Sequence, residues 1–331
     1  MKWKFFILTF LLFPLVGFAY SDDTTHPGLT DEIIDLFNLN YPDSKISDEY
    51  KELVKKGSTD EDKKPRSMYH FYDPVYNRGI HIAGTKWQSS KDWAVDTMAQ
   101  ASFWDQAFAG SLTSYFGSSE DHSWDRAIYE YAWGDKERAM YDLGHIVHLI
   151  EDASVPDHTR NDPHPPWFHF GSPYEAWTSK FGPEQMDGLA KSLFDSRKKL
   201  IALDDIQSYF ESIATYSNNN FFSKDTIFNK DYSNPLFGEE RLEKLSDGKL
   251  YNFGYKSNNQ DKHKLVLVGQ RRLGSQEISY SIEDIDKLIL SDYWDRLSKQ
   301  AVLHGAGVVK LFFDEVEKEK KTQALYNKNK S

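Results

Sequence analysis

The sequence predicts an all-α fold, a single domain of many helices that carries one small polar insertion. Segments with apolar residues at three- and four-residue spacing recur along the chain, and this is the period of an amphipathic helix. Aromatic residues make up 15% of the 331 residues, which allows a sizeable core. Alternation of the kind found in strands occurs in one short run, residues 264–268, where we expect a β-hairpin within the insertion.

Helices are predicted on both sides of the insertion. Thr30 has a residue type that favours a helix N-cap, and apolar positions follow it at helical spacing. Pro156 limits the longest segment, because proline cannot continue a helix. The last helices begin near Ser281, and His304 on their apolar face is expected to be a core histidine with satisfied hydrogen bonds. The helices predicted before the insertion are 31–37, 91–108, 125–133, 135–154 and 204–216.

These patterns divide the chain into four regions. They are a leader at 1–19, a helical domain at 20–316, an insertion or flap at 218–280 within that domain, and a charged tail at 317–331. The insertion is rich in Asn, Lys, Asp, Gly and Ser. It lacks the apolar periodicity of the segments on either side of it.

The first nineteen residues have the composition of a secretory signal peptide. Lys2 and Lys4 give a positive start, residues 5–16 form an apolar segment too short to span a bilayer comfortably, and residues 17–19 form a small-x-small cleavage site. We therefore predict a mature chain that begins at Tyr20 and is secreted or periplasmic. An uncleaved N-terminal anchor is the alternative. The chain contains no cysteine, which rules out disulfides and a lipoprotein anchor.

The net charge of −11 disfavours duplex nucleic acid as a partner, since no basic stripe is present to follow a phosphate backbone. Bound divalent cations would reverse the field locally, so an anionic phosphate group could still enter a metal site. The sequence indicates no obligate protein partner. A transient contact of the insertion with a membrane surface is left open.

One predicted helix and the turn after it carry residues suited to binding a metal. His148 and Asp152 are four positions apart, which places them on one face, one turn from each other. His158 follows in the turn beyond Pro156, within reach of the same point. Two imidazoles and a carboxylate that converge in this way are suitable ligands for zinc or a similar divalent ion. A His-x-x-x-Asp pair can also be only a hydrogen-bonded pair on a partly buried face.

Histidines are concentrated around this helix, and core packing does not explain the clustering. Acidic Glu175 then opens the next predicted helix, with Ser172 as its N-cap. The clustering therefore supports a metal site over a plain hydrogen-bonded pair. Of the eleven histidines in the chain, five lie close together here: His145, His148, His158, His164 and His169.

The predicted helix at 135–154 and the turn after it, together called the ligand helix, resemble the signature of the bacterial zinc-dependent phospholipase C family, which is related to the S1/P1 nucleases. In that family a helical His-x-x-x-Asp is followed, six residues after the Asp, by a His, and the spacing here matches. The block from His70 to Pro74, His-Phe-Tyr-Asp-Pro, resembles a second block of the family, in the right order. The resemblance covers roughly residues 24–180. The helical signature consists of Leu143, Gly144, His148, Asp152, Pro156 and His158.

The resemblance implies a helical domain of the phospholipase C and P1 nuclease type that binds three zinc ions. It also implies how the ligands are shared among the ions. By that implication His148, Asp152 and His70 hold one ion, His158, His169 and Glu175 a second, and Asp62 and His26 a third. Zinc would neutralise phosphate oxygens, stabilise the leaving oxygen and lower the pKa of a bound water.

Two of these ligand assignments at the start of the chain are open. Asp60 and Glu61 are rivals of Asp62, because the three acids are consecutive and the family supplies a single Asp shortly before the His-Phe block. Asp62 could also act as a general base. The family uses its N-terminal residue as a further ligand, and whether Tyr20 does so is undecided.

The loop ligand is open as well. The family places a His four residues before the Glu that corresponds to Glu175, and this chain has Gly171 there. His169 is the preferred candidate and His164 its rival, since a loop could bring either one round.

These observations predict an exported zinc-dependent phosphoric diester hydrolase. The reading we favour is a phospholipase C that cleaves a phospholipid at the glycerol-phosphate bond through a metal-activated water. A 3′-nucleotidase or single-strand nuclease on the same scaffold is the first alternative. A zinc-stabilised binding protein without turnover is the second.

Overall fold

The computed structural model describes residues 24–63, 66–82, 84–102, 114–163, 171–256, 262–269 and 278–331. Within them the chain is all-α apart from two small antiparallel sheets, which confirms the predicted fold class. The predicted signal peptide, its cleavage site and Tyr20 lie outside the described residues, and so do His164 and His169.

Twelve helices run through the described residues, and short 3-10 turns join some of them. The helices are α1 Thr25–Asn40, α2 Asp48–Glu61, α3 Ser90–Trp93, α4 Thr97–Ala101, α5 Trp124–Trp133, α6 Lys136–Asp152, α7 Pro156–Thr159, α8 Pro173–Thr178, α9 Leu189–Asp195, α10 Ile206–Asn220, α11 Leu288–Thr322 and α12 Ala324–Lys330. The predicted helices at 125–133, 135–154 and 204–216 correspond to α5, α6 and α10.

Helix α1 begins at Thr25 rather than after Thr30, so the predicted N-cap was wrong. The first turn of the helix contains Pro27, which is tolerated there because the first backbone N–H groups have no intrahelical acceptor. The hydroxyl of Thr30 is instead free to donate to Glu151 on α6, at 2.8 Å. His26 therefore lies within the first turn of α1 and has a fixed backbone.

The segment predicted as one helix at 91–108 is described up to residue 102, and that part contains two short helices. The carboxylate of Asp96 accepts a hydrogen bond from the backbone N–H of Ala99 at 2.9 Å and so begins α4 anew. The sequence-based prediction counted Asp96 as an interior position, although aspartate competes with the helical backbone and favours caps. Residues 103–113 lie outside the described part of the chain.

Helices α2 and α6 pack with their backbones almost in contact. Gly57 on α2 faces Gly144 on α6, and no side chain separates them. A Cβ atom at Gly144 would lie 2.1 Å from the carbonyl oxygen of Val54, and one at Gly57 would lie 1.9 Å from that of Tyr141. This close approach brings the C-terminal end of α2, with its acidic residues, to the side of α6 that carries the predicted ligands.

The predicted hairpin is part of a four-stranded antiparallel sheet in the order β3-β4-β5-β6. Strand β5 matches the alternating run at 264–268, as predicted. Strand β3 was missed because it consists mainly of charged residues and so lacks an apolar face in sequence. Strand β4 was missed although Tyr251, Phe253 and Tyr255 alternate along it. The sheet strands are β3 Phe237–Lys244, β4 Leu250–Lys256, β5 Lys264–Val268 and β6 Tyr280–Ser281, and a separate two-stranded sheet is formed by β1 His81–Ile82 and β2 Thr85–Lys86.

The long helix α11 packs against α1 and crosses the back of the core. His304 on this helix is buried: Ser212 donates to its Nε2 at 3.0 Å, and its Nδ1 donates to the carbonyl of Gln300 at 2.9 Å. It is a core histidine with satisfied hydrogen bonds, as expected. The charged segment at 317–331 continues as helix through the end of α11 and α12. Among the described residues, no helix combines the length and apolar character needed to cross a bilayer.

His304 should make the fold less stable in acid. Burial lowers its pKa to about 4, although the hydrogen bond to Gln300 acts in the opposite direction. The unfolded chain binds this proton below about pH 6.5, so stability is lost as the pH falls from there towards 4. Between pH 7 and pH 5 the loss should be about 2 kcal/mol.

Urea unfolding of the parent and of His304→Asn at both pH values measures this contribution. The difference in unfolding free energy between pH 7 and pH 5 should shrink by about 2 kcal/mol in the variant. An equal difference in the two proteins would contradict the expected titration. The other acid-sensitive groups are common to both proteins and cancel.

Candidate metal centre

Seven predicted ligands meet at one buried place, and the helices position most of them. His26 comes from the first turn of α1 and Asp62 from the residue that ends α2, while His70 follows the 3-10 turn at 66–69. None of the seven side chains is more than 7% exposed. The remaining four are His148 and Asp152 on α6, His158 on α7 and Glu175 on α8. The eighth predicted ligand, His169, lies outside the described residues.

Asp152 has three imidazoles within 3.4 Å, and a fourth, that of His158, has its Nδ1 3.9 Å from Oδ2. Its Oδ2 lies 2.8 Å from Nδ1 of His70 and 3.2 Å from Nε2 of His148. Its Oδ1 lies 3.4 Å from Nε2 of His26. The helical spacing of His148 and Asp152 thus places both on one face, as the sequence predicts, and two further histidines from distant segments join them.

Asp62 is the second carboxylate of the cluster. Its Oδ1 lies 3.6 Å from Nδ1 of His70 and 3.9 Å from Nε2 of His148, and its Oδ2 lies 3.9 Å from Nε2 of His26. Within the described residues neither oxygen accepts a hydrogen bond, although the side chain is buried. A buried carboxylate without hydrogen bonds is costly, and a cation among these ligands would remove that cost.

The two rivals of Asp62 are engaged elsewhere. Asp60 pairs with Lys56 at 2.8 Å and with Lys63 at 2.7 Å. Glu61 accepts from Arg66 at 2.6 Å and comes no closer to the cluster than 3.9 Å, from His70 Nε2. The geometry therefore favours Asp62 among the three consecutive acids.

The possible ligand atoms form two overlapping groups with all members within 4.8 Å of one another. One consists of His26, Asp62 and His148, and the other of His70, His148 and Asp152. The second group is the one that the resemblance implies for a single ion. The first differs from the implied third site because it also includes His148, which is common to both groups.

His158 and Glu175 form a neighbouring pair. Nε2 of His158 lies 3.4 Å from Oε1 of Glu175, and the ring of His158 stacks on Phe71 at 4.1 Å between centroids. Nδ1 of His158 donates to the carbonyl of His70 at 3.1 Å, which leaves Nε2 to face Glu175. These two residues could contribute to a second ion, for which His169 is the third ligand that the resemblance implies.

The buried imidazoles and carboxylates of the cluster shift one another's pKa. Burial would lower the pKa of His26, but hydrogen bonds to Asp152 and Glu151 outweigh it and raise that pKa. Burial would likewise raise the pKa of Asp152, yet the charges of His148 and its neighbouring imidazoles hold it well below the usual range. Burial raises the pKa of Asp62. A metal ion would take the place of the imidazole protons.

Arg160 and Asp162 follow His158 closely in sequence, but their side chains bind segments outside the cluster. The guanidinium of Arg160 donates to Thr226 at 2.7 Å and to the backbone carbonyl of Asn218, so it ties the turn after α7 to the end of α10. Asp162 accepts from the backbone of Asp225 at 3.0 Å. Proximity in sequence to His158 therefore does not place these two side chains in the cluster.

Two further acids face histidines: Glu151 was missed, and Glu61 was considered only as a rival of Asp62. Glu151 lies 2.6 Å from Nδ1 of His26, and Glu61 lies 2.5 Å from Nδ1 of His145. The signal was present for Glu151: it is an acid that directly follows the apolar pair Leu149 and Ile150 on this helix. A buried acid in such a position needs a partner.

No protein-family model and no curated protein matches this chain. Among solved structures it is similar to the alpha toxin from Clostridium absonum, with 14% sequence identity and a TM-score of 0.40. The similarity covers 91% of this chain and 66% of the toxin chain. A likeness at this level carries no argument about the site, so function has to be inferred from the residues themselves.

Proposed function

We propose that this protein is a zinc-dependent phosphodiesterase that is exported and hydrolyses a phospholipid at the glycerol-phosphate bond. The observation that carries the proposal is the buried cluster around Asp152, in which three imidazoles and two carboxylates converge. The motif of the ligand helix resembles that of the bacterial zinc-dependent phospholipases C and supports the choice of substrate class.

The donor set fits zinc better than the other common divalent ions. Imidazole nitrogen and carboxylate oxygen are both zinc ligands, whereas calcium and magnesium prefer oxygen donors alone. His26, His70 and His148 supply the nitrogens, and Asp62 and Asp152 the oxygens. Among the described residues the two oxygens of Asp62 accept no hydrogen bond, and a bound cation would be their partner.

Bound zinc would supply Lewis acidity towards the phosphate oxygens and a water of lowered pKa. The residues of the chain would do the rest. Asp152 holds three imidazoles in a fixed orientation. Asp62 has carboxylate oxygens that accept no hydrogen bond among the described residues, and it is the candidate to take a proton from the attacking water. His158 and Glu175 would help to hold a second ion beside this cluster.

The mature protein should contain zinc and should hydrolyse phosphatidylcholine vesicles. We expect elemental analysis to find between two and three zinc ions per chain and EDTA to abolish hydrolysis, which returns when zinc is added back. The reason is that catalysis without metal would leave the phosphate charge unbalanced in an acidic protein.

The alternatives are distinguished by substrate and by metal content. Single-stranded DNA and 3′-nucleotides are assayed beside the vesicles, with the same EDTA control. Faster zinc-dependent turnover of these substrates than of phosphatidylcholine would replace the phospholipase by a nuclease or nucleotidase. Full zinc content without hydrolysis of any phosphodiester would leave a zinc-stabilised binding protein. A protein that is purified without zinc and takes up none when zinc is added would overturn the proposal.

A further inference from the structure

Two neighbouring acids of α6 contact the His26 ring, one at each ring nitrogen. Nδ1 lies 2.6 Å from Oε2 of Glu151, and Nε2 lies 3.4 Å from Oδ1 of Asp152. The three side chains are inaccessible to solvent. Consecutive residues of a helix point in different directions. Glu151 and Asp152 can therefore contact the His26 ring from two sides because the ring lies at the C-terminal end of α6.

The carboxylate of Glu151 is itself held in place. Its second oxygen, Oε1, accepts a hydrogen bond from Thr30 Oγ1 at 2.8 Å. Thr30 follows His26 by four positions on α1, so both lie on the same face of that helix. One face of α1 therefore provides a hydrogen-bond donor to each oxygen of Glu151.

This arrangement determines which nitrogen of His26 is available to a cation. A carboxylate at 2.6 Å accepts the Nδ1 proton, and the lone pair of Nε2 is then directed at Asp152 and Asp62. The ring also stacks on His148 at 3.7 Å between centroids, which limits its rotation. Carboxylates that accept from the second nitrogen of a metal-binding histidine fix its tautomer and raise its basicity.

We propose that Glu151, supported by Thr30, is the positioning residue that fixes His26 as an Nε2 ligand of the metal cluster. The inference rests on the proposed zinc centre. It adds a role that neither the spacing of the ligands nor the resemblance assigns to this acid.

A purely structural role is the competing explanation, because Glu151 also joins α1 to α6. Asp142 provides a matched control on the same helix. It is buried, lies 2.7 Å from Nδ1 of His122 and also accepts from Arg138, but His122 belongs to neither group of possible metal ligands. Glu151→Gln and Asp142→Asn each remove one buried charge beside an imidazole and keep the side-chain shape.

Zinc affinity of the full mature protein, measured by competition with a chelating dye, separates the two explanations. Glu151→Gln should weaken the binding of one zinc equivalent by about 10- to 100-fold. Asp142→Asn should leave all equivalents as in the parent. In zinc-loaded protein with ¹⁵N-labelled histidine, His26 should show a protonated Nδ1 and a metal-bound Nε2, and Glu151→Gln should disturb this pattern.

Thr30→Val is a second variant in case Glu151→Gln does not fold. It removes the hydroxyl with little change of volume and should weaken the same equivalent by about fivefold. If Glu151→Gln and Thr30→Val bind zinc as tightly as the parent, or Asp142→Asn loses as much affinity as Glu151→Gln, the positioning role is overturned and the zinc centre stands. If the parent itself binds no zinc, both the centre and the positioning role are overturned.

Discussion

Replacing His148 by alanine should remove bound zinc and phosphodiester hydrolysis together. His148 is the one residue common to both groups of possible ligands, and its Nε2 lies 3.2 Å from Asp152 and 3.3 Å from Nδ1 of His70. No other imidazole on α6 can replace it, because His145 is turned towards Glu61. We expect at least one zinc equivalent to be lost and activity to fall by more than about 100-fold, the upper range for a residue that merely supports a ligand.

A matched variant separates loss of a ligand from general damage. His304→Asn removes an equally buried histidine on α11 that contacts Ser212 rather than the cluster. Its zinc content and hydrolysis at neutral pH should equal those of the parent. Unchanged zinc in His148→Ala would contradict the assignment of the cluster. If both variants lost zinc and hydrolysis equally, the cause would be damage to packing and not the loss of a ligand.

Introducing a methyl group at Gly144 should destabilise the fold severely and impair metal binding at a distance. The new Cβ would lie 2.1 Å from the carbonyl oxygen of Val54 and 2.8 Å from the Cα of Gly57. Both are backbone atoms, so the clash can be relieved only by moving α2 away from α6. We expect Gly144→Ala to lower the free energy of unfolding by about 3 kcal/mol or more.

The displacement of α2 also moves Asp62, which directly follows it, relative to His148 on α6. The surviving folded protein should therefore bind zinc more weakly than the parent. Gly182→Ala is the control, because its Cβ would meet only Gln185 Oε1 at 3.8 Å, and both stability and zinc affinity should stay near those of the parent. A Gly144→Ala protein as stable as this control would show that the two helices separate at little cost.

The part of the site that spacing alone predicts is the part that lies on one helix and its exit turn. His148 and Asp152 are one turn apart on α6, and His158 follows the proline that ends the regular pattern, so their proximity is a local property of the backbone. The contributions of His26 and His70 came from the resemblance, because no periodicity relates residues more than seventy positions before His148 to the buried face of α6.

Features that depend on tertiary contacts could not be predicted. Thr30 resembles an N-cap in sequence, and only the position of α6 shows that its hydroxyl serves Glu151 instead. Asp62 could not be distinguished from Asp60, since the difference lies in where each side chain points at the C-terminal end of α2. Strand β3 was missed because its charged residues are stabilised by pairing with β4, and pairing partners leave no periodic signal in a single strand.

The ligand side chains are almost completely buried, and Glu175, with 7% of its side chain exposed, is the most accessible of them. An ion bound among them would leave mainly when the surrounding elements open locally, so its escape would be timed by that opening. Retention would then be a kinetic property: a molecule diluted into surroundings almost free of zinc would keep its ions for as long as the helices stay closed.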